Sequence, residues 1–260
     1  MTNKVPMRPY IQFLILSSIM LLSGSCRKET SFEGGAYTLR LRFRPSANGE
    51  NLRFNREYFN PVGEDYKVSA FKIYISHLEL LDESDRPVDS FPDKILLLDA
   101  ADSNTLKTDL QVNEKPFKRI VFRIGIDSVL NVSGAQTGPL DPLKGMFWTW
   151  NTGYINAKLE GSSFFSTGPN KSFTYHIGGF REGENTQRNV SLEMPNQQVW
   201  VVEKSGRSEA VIGIEIDNWF RSVHDLPIGL MPQQMEPGPV AMRYADNYAT
   251  MFSLESIKKQ

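Results

Sequence analysis

From Tyr37 onward the chain alternates apolar and polar residues with a period of two. Tyr37, Leu39, Leu41 and Phe43 interleave with Thr38, Arg40, Arg42 and Arg44, the pattern of a strand with one face in a core and the other in water. The alternation returns over 70–81, where Phe71, Ile73 and Ile75 share a face, and over 119–127 (RIVFRIGID), where Ile120, Phe122, Ile124 and Ile126 do. Further along, KSFTYHIG carries Phe173, Tyr175 and Ile177, NVSLEM carries Val190, Leu192 and Met194, and VIGIEID carries Ile212, Ile214 and Ile216. Turn-forming clusters such as ANGEN, DESDRP, SGAQTGPLDP and STGPNK separate these runs. Short strands with this punctuation predict an all-β fold, an antiparallel β-sandwich with long connecting loops. Helical spacing is confined to Ala245, Tyr248, Ala249 and Phe252, which predicts a short C-terminal helix, and to a turn or two over 217–223. The proline-rich stretch 225–242 reads as a structured loop or crossover.

One segment breaks the tidy division of faces. In GMFWTWNTGYINAKLEG, residues 145–161, a continuous strand would place Trp148, Trp150, Tyr154, Lys158 and Glu160 on one side and Ile155, Ala157 and Leu159 on the other. The aliphatic side reads as core. Two indoles and a tyrosine then share the side that also carries charge.

Length and charge narrow the field. A chain of 260 residues is long enough to bury a sizeable core and reads as one folded domain. A formal net charge of -1 gives no field toward phosphate backbones, so nucleic acid is not an expected partner. At the N-terminus, Lys4 and Arg8 precede an apolar run over 11–22 that is short for a membrane span and suits a secretory signal. The run leads into LSGSC, which resembles a lipoprotein processing box in which Cys26 is acylated. The expected organisation is a lipoprotein signal peptide over 1–26, a polar tether over 27–36 and the β-domain over 37–260. An ordinary signal followed by a free thiol is the other reading. The RKE after Cys26 resembles the export signal of Bacteroidetes surface lipoproteins, which points to an outer-membrane lipoprotein facing the periplasm or the surface.

Cys26 is the single cysteine, so disulfides and thiolate metal sites are absent from the β-domain. No serine elbow, phosphate loop, dinucleotide fingerprint or HExxH motif occurs, and the expectation is a protein that is not an enzyme. Three histidines remain. His77 falls on the alternation face of Phe71, Ile73 and Ile75, so it reads as a hydrogen-bonded residue at the core edge or as a ligand. His176 points opposite Phe173, Tyr175 and Ile177 and is followed by two glycines that allow close approach. His224 lies in a loop, solvated or aimed at a site. Met231, Met235 and Met242 supply thioethers, which suit Cu(I) or hydrophobic packing. Asp127, Asn131 and Asp141 offer oxygen ligands or turn caps.

Taken in order, IGIDSVLN (124–131), DPLKGMFWTWNTGYINAKLEG (141–161) and YHIGGF (175–180) resemble the MbnP family, named for a methanobactin-associated copper-binding protein. The likeness extends from the first strand through FKIYISHLEL and ILLLDA to the final helix. It implies an exported β-sandwich that binds copper, Cu(I) foremost, through histidine and a kynurenine. That kynurenine is made from tryptophan by a di-heme partner of the cytochrome c peroxidase type. On matching motifs the resemblance marks Trp148, Trp150 and His176, leaving His224 and His77 as candidates for a second ligand. The implied function is a lipid-anchored, non-enzymatic copper-binding protein held to the bilayer through Cys26. The alternative is a surface lipoprotein that binds a carbohydrate or protein through the Trp148, Trp150 and Tyr154 face.

Overall fold

A computed structural model describes residues 37–148, 153–202 and 206–260. The signal segment, the tether, Cys26 and Trp150 lie outside the described residues. In chain order the first strands are β1 (Tyr37–Ala47), β2 (Glu50–Asn51), β3 (Glu57–Phe59), β4 (Asp65–Leu81), β5 (Pro87–Phe91), β6 (Leu96–Asp99), β7 (Lys107–Val112) and β8 (Arg119–Ile124). After helix α1 (Ser128–Val132) come β9 (Ile155–Ser162), β10 (Ser172–Gly178), β11 (Arg188–Glu193), β12 (Arg207–Glu215) and β13 (Gln233–Gln234), then helix α2 (Pro239–Ala249) and β14 (Phe252–Lys259).

The expected all-β sandwich forms from two sheets. One runs β14-β12-β1-β2 with β7 also on β1; the other runs β11-β8-β4-β9-β10-β13 with β3, β5 and β6 along β4. Leu39, Leu41 and Phe43 of β1 and Ile212 and Ile214 of β12 share one core with Phe71, Ile73 and Ile75, Ile120 and Phe122, and Phe173, Tyr175 and Ile177. Each such side chain contributes about 1.5–3 kcal/mol on burial. The outward row of β1 is tied across its sheet by ion pairs of Arg40 with Asp109, Arg42 with Glu209 and Arg44 with Glu255.

The pairing is antiparallel except at β1·β12 and β10·β13, which are parallel. Residue alternation fixes which face is buried, not the direction of the neighbour, so a parallel pair leaves no local mark. Ile216–Trp219 forms a single 3-10 turn that overlaps the start of the segment 217–223 predicted to turn. Helix α2 starts with Gly238 before Pro239, a combination suited to a helix start, and buries Ala241, Tyr244, Ala245 and Tyr248. Phe252 departs from the helical reading. The helix ends at Ala249, and Phe252 opens β14, which pairs with β12 from Ile214 to Ser208.

Two bulges interrupt the long strand β4, between Val68 and Ala70 against β9 and between Ser76 and Glu79 against β8. Each inserts a residue and flips the side-chain parity. Tyr66 and Val68 are buried before the first, Phe71, Ile73 and Ile75 after it, and Leu78 and Leu80 after the second. His77 is the inserted residue of the second bulge, with φ of 49°. It therefore leaves the face of Phe71, Ile73 and Ile75 that the alternation assigned to it.

The loop 225–242 is pinned to the sandwich by a buried carboxylate. Glu64 accepts hydrogen bonds from the N–H groups of Ile228 (2.7 Å) and Gly229 (2.9 Å) and from Asn60 Nδ2 (3.1 Å). Glu64→Ala leaves two enclosed N–H donors without acceptors and is expected to cost about 3 kcal/mol. Glu83→Ala, at an exposed turn, is expected to stay within about 0.5 kcal/mol. Urea unfolding midpoints at neutral pH measure both, and equal midpoints for the two variants would show that the loop is anchored elsewhere.

Candidate metal centre

A second, smaller core covers part of the outer face of the large sheet. Tyr74, Leu97, Ile126, Leu140, Met146, Trp148, Tyr154 and Ile155 form it. The chain that follows β8 closes over it. Tyr74 Oη donates to Pro139 O and Tyr154 Oη to Leu140 O, each at 2.9 Å. Asn131 Nδ2 donates to Ile126 O (2.7 Å), and its Oδ1 receives Tyr154 N–H (2.8 Å). Asp141 caps the turn at Leu143 N–H (2.9 Å). Asn131 and Asp141 thus act as caps, and Asp127 as an ion-pair partner, rather than as cation ligands.

This cluster corrects the reading of 145–161 as one strand. Phe147 and Tyr154 face each other across an isolated antiparallel bridge, Trp148 N–H donates to Gly153 O (3.2 Å) and Ile155 N–H to Met146 O (2.9 Å). The segment is a fold-back, and strand parity does not carry across it. Trp148 is only 4% exposed. Its indole lies over Gly178: a Cβ there would sit 2.5 Å from Trp148 Cη2 and 2.6 Å from Tyr154 O. Tyr154 is 1% exposed. Ile155 joins this outer cluster, while Ala157 and Leu159 enter the main core as expected.

Beside Trp148 the same outer face turns polar. Register aligns Asp99 of β6, Lys72 of β4, Lys158 of β9 and His176 of β10 in one row across four strands. Lys72 Nζ bonds Asp99 Oδ2 (2.9 Å) and Lys144 O (3.0 Å). Glu160, one pleat along, accepts from His176 Nε2 at 2.6 Å and lies 3.6 Å from Lys158 Nζ. An ionised carboxylate only accepts, so Nε2 carries the proton and Nδ1 holds the lone pair of the neutral ring. Nδ1 has no hydrogen-bond partner among the described residues. His176 is thus half of a carboxylate–histidine pair of the kind that orients an imidazole toward a metal.

Burial pushes the Lys158 ammonium below its ordinary range, with Glu160 opposing and Lys72 adding to the shift. The Glu160 carboxyl is held below the usual carboxylate range, chiefly by the His176 hydrogen bond; burial opposes this and Lys158 assists.

The other two histidines lie apart from this row. His77 has both ring nitrogens engaged, Nε2 with Asp127 Oδ2 at 3.0 Å and Nδ1 with Ser76 Oγ at 3.3 Å. It sits five residues along β4 from Lys72 and two strands from His176, on the order of 20 Å away. His224 Nε2 meets Asp246 Oδ2 at 3.0 Å, and Asp246 is also held by Arg188. The structure brings none of the three together, and no group of three or more His, Cys, Asp or Glu able to hold a metal occurs among the described residues. Met235 follows directly on β13, which pairs with β10 at Thr174 and Tyr175, the two residues before His176. The loop 225–242 carries it alongside β10 through β13, a non-local pairing that the sequence signals only by the methionine itself.

Of the side chains in the aromatic-platform reading, Trp148 and Tyr154 are both buried, and Trp150 lies outside the described residues. Among the described residues the exposed aromatics are Phe59, Phe164 and Phe165, outside this cluster. A cleft of about 720 Å³ opens next to the row, lined by Lys72, Leu97, Asp99, Lys107, Leu143 and Lys144 among others, with no aromatic or histidine side chain.

In metal-free protein, the depressed Glu160 pKa makes its contribution to stability complete above the ordinary carboxylate value of about 4.3 and lost as pH falls through the lower folded value. Wild type is therefore expected to lose more stability than Glu160→Gln between about pH 5 and pH 3. Urea midpoints across that range, with chelator present, measure the difference; parallel profiles would remove the His176 pair from the balance.

Comparison with known proteins adds to this geometry. The MbnP family pattern matches residues 36–236, from the first residue before β1 through β13. Among solved structures, MbnP from Methylosinus trichosporium is similar with a TM-score of 0.50 and 14% identity, covering 73% of this chain and 79% of that one. At that identity the likeness shows the fold. No curated protein matches. The family pattern spans both sheets, the fold-back that carries Trp148 and the strand that carries His176, and on that match the chain belongs to the MbnP family.

Proposed function

We propose that this is an exported, lipid-anchored, non-enzymatic protein that binds Cu(I) at His176. The carrying observation is the state of that side chain: Glu160 on Nε2, Nδ1 unengaged, and the Trp148 indole over Gly178 on the same outer face. With no thiolate in the β-domain and no three-ligand cage among the described residues, the donors fit a soft ion better than zinc or a hard cation. Copper, when bound, would supply a soft, redox-capable centre. Glu160 holds the ring proton at Nε2 and fixes the orientation of Nδ1, and the Trp148 cluster keeps water from one side.

A di-heme partner of the cytochrome c peroxidase type would convert Trp148 or Trp150 to kynurenine, with two equivalents of peroxide as oxidant cleaving the indole C2–C3 bond and water releasing C2 as formate. Indole offers only an N–H donor, whereas the product offers a nitrogen and a carbonyl. The fold-back places Trp148 within reach of the His176 face, which supports the reading. Attachment through Cys26 and export to the outer membrane rest on the basic start, the apolar run and the small residues before the single cysteine. Stable anchoring by acyl groups takes more than one chain.

Competition titration with Cu(I) under reducing conditions tests the copper reading. His176→Ala is expected to weaken binding by more than about 100-fold, while His77→Ala and His224→Ala stay close to wild type. Equal affinity of His176→Ala and wild type would sink it. Peptide mass spectrometry on protein from native cells grown with copper covers the modifications. An acylated Cys26 peptide and an oxidised tryptophan within 145–158 are expected; unmodified peptides at both places would refute the two assignments.

A further inference from the structure

We propose that Met235 is a thioether ligand beside His176 in the same Cu(I) site, an inference that rests on the copper reading and names its second donor. Parallel pairing sets Thr174 against Gln233 and Tyr175 against Gln234. Continued by one residue, the register puts Met235 next to His176. Both ends of that continuation are held. Thr174 N–H donates to Pro232 O (2.8 Å) and Tyr175 Oη to Met231 O (2.9 Å) before it, and Pro237 Cβ lies 3.3 Å from the position a Cβ would take on Gly179 after it.

The face is fixed as well. Tyr175 and Ile177 point into the main core, so Thr174 and His176 point out. Gln233 pairs with Thr174, and its Nε2 lies 3.1 Å from Met235 Sδ. That contact puts the sulfur on the outer side, with His176. Neighbouring strands are about 4.8 Å apart, so the thioether and the imidazole stand side by side. Met235 is half-buried, whereas an exposed loop methionine with no role in packing would be free to point away.

The chemistry agrees with the placement. A thioether is a soft donor that favours Cu(I) over zinc or hard cations and, unlike imidazole, is not lost by protonation. Its weak contact with Gln233 costs little to give up. The row Asp99, Lys72, Lys158 and His176 leaves the Met235 side as the edge where the imidazole is not flanked by a cation.

X-ray absorption at the copper edge of the Cu(I)-loaded full chain, with affinity titrations of wild type, Met235→Leu and Met231→Leu, tests this. Leucine keeps the apolar volume, and Met231, which packs against the main core, is the matched control. Expected are a sulfur scatterer in wild type and in Met231→Leu, its loss in Met235→Leu, and a fall in Cu(I) affinity of more than about tenfold for Met235→Leu alone. A copper shell of nitrogen and oxygen only in wild type, or unchanged affinity in Met235→Leu, overturns the assignment while leaving His176 in place. Absence of Cu(I) uptake by wild type overturns the copper reading and Met235 together. Should Met235→Leu fail to fold, the sulfur signal of wild type and its persistence in Met231→Leu still decide.

Discussion

Strand β4 is the constraint on which the other parts depend. It is 17 residues long and pairs with five other strands, β3, β5 and β6 along one side and β8 and β9 along the other. A strand that long, kept in strict period two, would hold one set of side chains inward throughout while the right-handed twist of the sheet turned that face away from the core. The two bulges reset the parity. They allow β4 to bury Val68, Phe71, Ile75 and Leu80 in turn, and they place β8 and β9 end to end against the same side.

That arrangement gives the large sheet an outer face with two characters. Around Tyr74 it is apolar and roofed by the chain after β8, with Tyr74 and Tyr154 packed edge to face at 6.0 Å. Further across it is a charged row whose positive members, Lys72 and Lys158, face each other in register. Like charges directly opposed are unfavourable. Asp99 and Glu160 offset them, and Glu160 does so while holding His176. The histidine therefore sits in a place whose electrostatics are set by two neighbouring strands, next to the edge of a dry aromatic cluster.

The same logic separates His176 from the other histidines. All three have a carboxylate partner, in Asp127, Glu160 and Asp246. For His77 the second nitrogen is also taken, and for His224 the carboxylate is shared with an arginine on β11, which ties the pair into a structural bridge to α2. His176 lies on the outward side of β10, two residues before Gly178, over which the Trp148 indole packs. Glu64 helps determine the path of the loop 225–242 from within the sandwich, a long way in sequence from it.

The sequence by itself determined the period-two strands, their buried faces, the short helix rich in Tyr and Ala, and the outward direction of His176, because each depends on neighbours one to four residues away. It also carried the motifs of the family. Only the tertiary structure decided the rest. The bulge at 76–79 moved His77 off the core face, and the antiparallel bridge of Phe147 with Tyr154 left Trp148, an apparent polar-face indole, in a buried cluster. Phe252, spaced as a helix residue, was captured as a strand by β12. The parallel pairing of β10 with β13 brought Gln233 and Gln234 to Thr174 and Tyr175 from almost sixty positions away in the chain. In each case register and parity are properties of a pair of strands, and a pattern read along one strand holds no record of the other.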